Sequence, residues 1–477
     1  MDMPVQDIPR SQIPRRRRRS KLQIFKEAYL PTIILAVTIV LIIVFIIGAA
    51  VNTDAPVETT PSTTESTSAT NTIPPTQETE PTIPIALREE AASRLADAQH
   101  FAADYDYDSA LSVLEGFSGN RDDFPALSAA YQEYTAAKAS MVSWKAGDVY
   151  NLSFQMLIAD PQRAFHDDTY GSAYKRNFIT TAEFSAILQQ LYDNGYILVS
   201  MDDFYYEEFN SSSGRYIFKE TELQLPAGKK PIMLTETNAN YYTYMTDSNG
   251  DGKPDAGADG FASRLCYDAN GFYNELVNAD GSISTGSYDL VPLLEDFIRE
   301  NPDFSYRGAR AIIAFSGYDG ILGYRINASN LGATALQAER DGAAAIVKAL
   351  KDAGYHLACY TYDNTDYGIG APTQVYNDIQ KWMENIAPWI DALDTIVFAQ
   401  NADIAGSESY TGNSKFNVLY NAGFRYFIGT STAPWNQVDN QYIRHNKFNV
   451  TGYNLLNNPQ LYKDLFDAAS VKDSART

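Results

Sequence analysis

From residue 147 onward, short apolar runs alternate with amphipathic ones, and that rhythm leaves few folds open. Residues 152–158, 196–200, 231–235, 311–315, 356–360, 395–398 and 424–428 are short, apolar and strand-like. Residues 181–194, 290–300, 341–353, 374–390 and 416–422 carry apolar positions at helical spacing. Strands alternating with helices build βα units around a parallel sheet. The number of units suits an open or closed α/β barrel. In such barrels the chemistry sits at the C-terminal ends of the strands, where the βα loops converge.

The chain before this region has a different character. Residues 1–30 are basic, with Arg10, Arg15 to Arg19, Lys21 and Lys26. Residues 31–51 are uncharged and apolar, interrupted only by Thr32 and Thr38. At about 1.5 Å per residue such a run spans a bilayer core of roughly 30 Å. Positive charge on its N-terminal side keeps that end in the cytoplasm and puts everything after Val51 outside. The expectation is a single-pass cell-membrane protein with an extracellular main domain. A cleaved signal peptide is the rival reading, since Gly48-Ala49-Ala50 is small enough to be cut. The run is long for a signal h-region of about 7–15 residues. Residues 52–84 are Thr, Ser, Pro and Glu with almost no aliphatics. Such a segment cannot bury enough surface to offset its ordering entropy, so it is expected to be a disordered stalk.

Residues 85–146 carry Ala91, Leu95, Ala98 and Ala102, then Ala110, Leu111 and Leu114, then Leu127, Tyr131 and Tyr134. This spacing predicts two or three amphipathic helices. The turn Tyr105-Asp106-Tyr107-Asp108, followed by Ala-Leu, is similar to the joint of a tetratricopeptide helix pair. An array of such pairs needs about three repeats, and fewer are present. The segment is either a helical spacer or a protein-binding module.

The net charge is −22 despite the basic tail. That argues against a nucleic-acid partner. It also works against polyanionic wall polymers unless a local basic groove overrides it. Cys266 and Cys359 are the only cysteines. An exported chain this poor in Cys has no disulfide framework; a single bridge is the alternative, but Cys359 lies in a strand-like run, and two free thiols are expected.

Residues 230–242 run Lys-Pro-Ile-Met-Leu-Thr-Glu-Thr-Asn-Ala-Asn-Tyr-Tyr, a strand entering a polar turn. This resembles the first motif of the polysaccharide deacetylases (carbohydrate esterase family 4, the NodB-homology domain). Residues 157–161, 196–202, 290–297, 301–304 and 317–325 resemble an anchored bacterial subgroup of that family. The likeness covers roughly residues 151–453. It implies a distorted (β/α) barrel, in agreement with the segment count. It also implies metal-assisted deacetylation of a carbohydrate. In the family one Asp acts as base towards a metal-bound water, while the adjacent Asp and two His four residues apart hold the metal. The metal lowers the pKa of the water and polarises the acetyl carbonyl.

The residues at those places depart from the pattern. Thr237 stands where the base would be, and its hydroxyl takes no proton near neutral pH. Asn238 stands where the metal-binding Asp would be, and an amide oxygen is a weaker ligand. In the second motif, residues 358–364, Tyr360 and Asn364 stand where the two His would fall. The third, residues 398–403, lacks the family's Pro and Gly. The last, residues 442–453, keeps its outline but has Thr451 where an acid is expected. His166, His356 and His445 are the only histidines of this region. His356 shares a strand face with Tyr360 but lies roughly 13 Å behind it. Strand alternation turns Glu236 away from Thr237.

A pseudoenzyme is therefore expected, with zinc or another transition metal not expected. The remaining strand-end residues are amides and aromatics. Asn240, Tyr241, Tyr242, Tyr362, Gln400, Asn401 and Arg444 are the ligand-binding candidates. Aromatic faces beside directed hydrogen-bonding groups suit sugars, although a buried polar network has the same composition. One further motif stands apart. Residues 247–255 follow D-x-N-x-D-G-x-x-D, with oxygen ligands and a Gly placed as in an EF-hand-like calcium loop. Calcium is the one cofactor candidate, with Asp247, Asn249, Asp251, Lys253, Asp255 and Asp259 as its set. An ordinary Asx/Gly turn is the alternative. Three functions compete: a degenerate barrel binding cell-wall glycan or an envelope protein, an active deacetylase with a rebuilt site, and an assembly protein working through its helical segment.

Overall fold

The computed structural model describes residues 83–167, 169–246 and 259–476. The basic tail, the apolar run 31–51, the stalk up to residue 82 and the calcium motif 247–258 lie outside them. Among the described residues no helix is long and apolar enough to cross a membrane.

Seven strands form the centre: β1 (Tyr150–Gln155), β2 (Lys230–Thr237), β3 (Ile312–Phe315), β4 (His356–Cys359), β5 (Thr395–Val397), β6 (Tyr426–Thr430) and β7 (Ile443–Asn449). Each pairs in parallel with the next, and β7 returns to β1, so the sheet closes into a barrel. The seam is at β2. Its first residues pair with the short strand Tyr196–Leu198, and β3 joins the same edge only from Thr235 onward. The strand Tyr196–Leu198 is thus an eighth strand that stops half-way up the wall.

The helices are α1 (Ile85–Ala103), α2 (Tyr107–Glu115), α3 (Pro125–Ala139), α4 (Thr181–Asp193), α5 (Leu290–Glu300), α6 (Ala333–Ala353), α7 (Pro372–Asn385) and α8 (Ser414–Asn421). α4 starts at a capping box, in which Thr180 and Glu183 satisfy each other's backbone N–H groups. It buries Phe184, Ile187, Leu188 and Leu191, an i, i+3, i+4, i+7 stripe, and Phe184 meets Phe154 of β1 edge-on at 5.0 Å. α6 ends on Gly354, whose φ of +101° supplies the left-handed cap that stops the helix.

Strand pleating divides the apolar side chains into two cores. Outward residues such as Leu152, Leu234, Ile313, Leu357, Ile396, Phe427 and Phe448 pack under the helices. Inward residues such as Met233, Ile312, Ala314, Ala358, Val397, Ile428 and Ile443 fill the barrel's lower part. Polar side chains also face inward among them: Thr235 donates to Asn151 at 2.7 Å, and His356 meets Thr395 at 2.5 Å where β4 and β5 begin.

α1–α3 enclose a small core of their own around Ala98, Ala110, Leu114, Leu127 and Tyr134. Tyr105 packs against the lower barrel core, and Asp106 pairs with Arg307 at 3.6 Å. The strand Met141–Trp144 follows and pairs with Leu223–Pro226. Two antiparallel insertions had no counterpart in the βα reading: the hairpin of Tyr205–Asn210 with Arg215–Glu220, and the three-stranded sheet spanning residues 262–286. Both cysteines are free and buried, as expected.

Candidate functional site at the barrel mouth

The loops that follow β2, β3, β4 and β5 share one feature. Each holds two non-glycine residues in left-handed backbone: Asn238 and Tyr241, Asp319 and Leu322, Thr361 and Asn364, Gln400 and Asn401, with φ from 51° to 65°. One of each pair is Asn or Asp, which tolerates this region; Tyr, Leu, Thr and Gln do not do so readily. Such strain persists only where surrounding contacts over-determine it, and three buried polar residues supply those contacts. Asn240 ties the β2 loop to the β3 loop, donating to Ser316 O at 2.8 Å and Gly320 O at 2.6 Å and accepting from Ser316 N at 2.8 Å. Asp378 of α7 holds the β4 loop, accepting from Tyr362 N, Asp363 N, Thr365 Oγ1 and Tyr367 Oη. Arg444 holds the β5 loop through Glu408 O at 2.6 Å, Gly406 O and the Asp403 carboxylate at 3.2 Å.

The positions that the resemblance assigns to catalysis do converge. The Tyr242 hydroxyl donates to Asn238 Oδ1, accepts from Asn364 Nδ2 at 3.1 Å and lies 3.2 Å from Ser316 Oγ. Tyr360, whose ring lies at the margin of the lower barrel core, stands next to it near the Gln400 backbone. Thr237 turns its hydroxyl to Phe154 O at 3.1 Å. A phenol oxygen therefore bridges the two places where an acid and an imidazole would hold a metal. Among the described residues no group of three or more His, Cys, Asp or Glu side chains could hold a metal ion. The residues present do not fit the divalent metal that the resemblance implies.

Aromatic rings extend outward from this hub. Tyr244 stacks on Tyr242 (5.7 Å between centroids, 14° between planes), Tyr170 meets Tyr244 at 5.3 Å, and Tyr318 meets Tyr242 at 6.1 Å. Tyr170 and Tyr244 are each 42% exposed and Tyr318 57%. The result is a ribbon of phenol faces ending on a pair of amides. An open groove lies elsewhere, between α5, α6 and the strand Gly271–Val277.

Several sequence-level assignments need correction. Asn240 and Arg444 are the buried clamps just described, not ligand contacts. Tyr241 is also buried; its side chain points behind the wall to Asn274 and Asp289. Tyr362 is half-buried, with its ring against Gly317, where a Cβ would come within 2.1 Å, and its hydroxyl accepting from Asn327. Tyr242 belongs to the hub, and Gln400 and Asn401 are exposed at the rim. Of the calcium set only Asp259 is described; it is buried and accepts from the Tyr174 hydroxyl. Glu236 turns away from the mouth, as alternation requires, and faces Asp289. Sequence reasoning missed Tyr170, Tyr244, Tyr318, Asp378 and Lys447. The run Tyr241-Tyr242-Thr243-Tyr244 was the available signal for one of them.

No protein-family model matches the sequence, and no curated protein matches it. Among solved structures the chain is similar to the Streptococcus pyogenes deacetylase PplD in complex with acetate. The identity is 10% and the TM-score 0.32, over 68% of this chain and 100% of that one. The barrel itself rests on the strand pairing, to which this likeness adds no argument.

Proposed function

We propose that this chain is a membrane-anchored, deacetylase-like barrel that binds cell-wall saccharide at its mouth without hydrolysing it. The observation that carries the reading is the exposed tyrosine ribbon ending on Tyr242, whose hydroxyl spans Asn238 and Asn364. Apolar sugar faces stack on such rings, and the amides offer directed donors and acceptors at the end of the row. Deacetylation needs a base and a strong ligand set, and Thr237, Asn238, Tyr360 and Asn364 supply neither. The basic tail, the apolar run 31–51 and the Thr/Ser-rich stalk support an anchor holding the barrel in the wall.

The test uses the full-length chain in detergent. Tetra-N-acetylchitotetraose is expected to bind, and Tyr244→Ala to weaken binding roughly tenfold, the worth of one aromatic contact. No acetate should be released with added zinc or cobalt. Stoichiometric metal with turnover would mean that the site has been rebuilt and the reading is wrong.

A further inference from the structure

The arc of the mouth built by β5, β6 and β7 contains a second cluster. Asn401 is exposed and left-handed, and its side-chain oxygen receives three donors: Thr430 Oγ1 at 3.0 Å, Lys447 Nζ at 3.0 Å and Asn449 Nδ2 at 2.9 Å. A neutral carboxamide oxygen has two lone pairs and only partial charge. Three donors converging on one point, one of them a cation, is an arrangement that suits an anionic oxygen better. Lys447 is 2% exposed, and its only other bond goes to Asn449 Oδ1 at 2.6 Å. Among the described residues no carboxylate pairs with it. The buried arginines are matched, Arg444 by Asp403 and Arg476 by Glu183. An ammonium taken out of water loses far more than amide oxygens return, and a counter-charge is the usual remedy.

We infer that Thr430, Lys447 and Asn449 form a receptor for an anionic oxygen of the bound saccharide, with the Asn401 side chain occupying its place until the ligand displaces it. The inference rests on the saccharide reading above and assigns it a ligand class: sugars that carry a carboxylate or a phosphate. It locates a basic point in an otherwise acidic protein.

Burial pushes the Lys447 amine down to about 7. The titratable side chains that the strands turn inward with it are His445 on β7, His356 and Tyr360 on β4, and Tyr426 on β6. Asp403 on the β5 loop is engaged by Arg444 and Tyr410. His445 is held neutral by burial, between Ala146 O and Asn446 O. An arriving anion restores the proton on Lys447. Binding therefore takes up a proton and weakens by up to about tenfold per pH unit above 7.

The experiment is calorimetric titration of the full-length chain with tetra-N-acetylchitotetraose, tetragalacturonate and glucose 6-phosphate at pH 6 and pH 8.5. At pH 6 at least one anionic sugar should bind roughly tenfold tighter than the neutral one, and which of them does so separates carboxylate from phosphate. The preference should shrink at pH 8.5 and vanish in Lys447→Met. It should grow in Asn401→Ala, which removes the competing oxygen at an exposed position and keeps the test open if Lys447→Met does not fold. Equal binding of neutral and anionic sugars would overturn this inference while leaving the saccharide reading intact. Binding of none of the three would overturn both.

Discussion

Arg476→Met is expected to lower folding stability by about 3–5 kcal/mol, the usual consequence of leaving a buried charge without its partner. Arg476 and Glu183 are both inaccessible to solvent at their side chains. Arg476 Nε donates to Glu183 Oε1 at 2.5 Å and Nη2 to Oε2 at 2.7 Å; the guanidinium also reaches Lys175 O and Phe178 O. Glu183 accepts from Thr180 N and Asp473 N as well, so every lone pair in the pair's neighbourhood is used. The methionine would leave a carboxylate in an apolar site at the start of α4. The double change Arg476→Met/Glu183→Met should recover part of the loss, because it removes the second charge too, but not the bonds that Glu183 accepts from Thr180 N and Asp473 N. Urea denaturation of these two variants and of Glu183→Met alone measures this. Single variants as stable as the parent would show that the pair is not buried in solution.

Glu236→Gln is expected to do the opposite and stabilise the protein above neutral pH. Glu236 and Asp289 are fully buried side by side, joining β2 to the start of α5. Asp289 Oδ1 accepts from Leu157 N and Leu290 N, each at 2.8 Å. No other group donates to Asp289 Oδ2 or to either oxygen of Glu236. Two adjacent carboxyls without further donors share a proton. Burial raises Asp289 to about 6 against the pull of its backbone bonds, and Glu236, which has no such bonds and is raised further, holds the shared proton. Burial first, and the Asp289 charge second, raise Glu236 well above its ordinary value.

The sign follows from proton counting. The folded chain keeps a proton that the unfolded chain releases above about pH 4.3. Stability from this site is therefore complete at low pH and declines as pH rises through the folded-state value, by about 1.4 kcal/mol per unit. Glutamine keeps the shape and offers an N–H to Asp289 at every pH. Relative to the parent, the variant should gain stability as pH rises from 5 to 8. A parent–variant difference that stays flat over that range would exclude the shared proton.

The alternation of apolar strands and amphipathic helices from residue 147 onward determined the barrel. Nothing else buries several short two-sided strands and the helices between them at once. The chemistry at the places that the family resemblance assigns to base and ligands was equally plain, because Thr237, Asn238, Tyr360 and Asn364 differ from what such hydrolysis needs, wherever they point. The seventh strand was not legible. Ile443-Arg444-His445-Asn446-Lys447-Phe448-Asn449 shows no apolar run, since Arg444 is buried by a loop's carbonyls on one face and Lys447 and Asn449 enter the polar end of the barrel on the other. Only closure of the sheet makes it a strand. The composition of the mouth was likewise decided in three dimensions. Asn240, Tyr241 and Arg444 looked available but are buried, whereas Tyr170, Tyr244 and Tyr318 come to the rim from three separate loops. Where a side chain points beyond a strand's last residue depends on left-handed turns, and on clamps such as Asn240, whose partners Ser316 and Gly320 lie far away in the chain. Hydrophobic periodicity records which face of an element is buried, and it ends where the element ends; the mouth begins there.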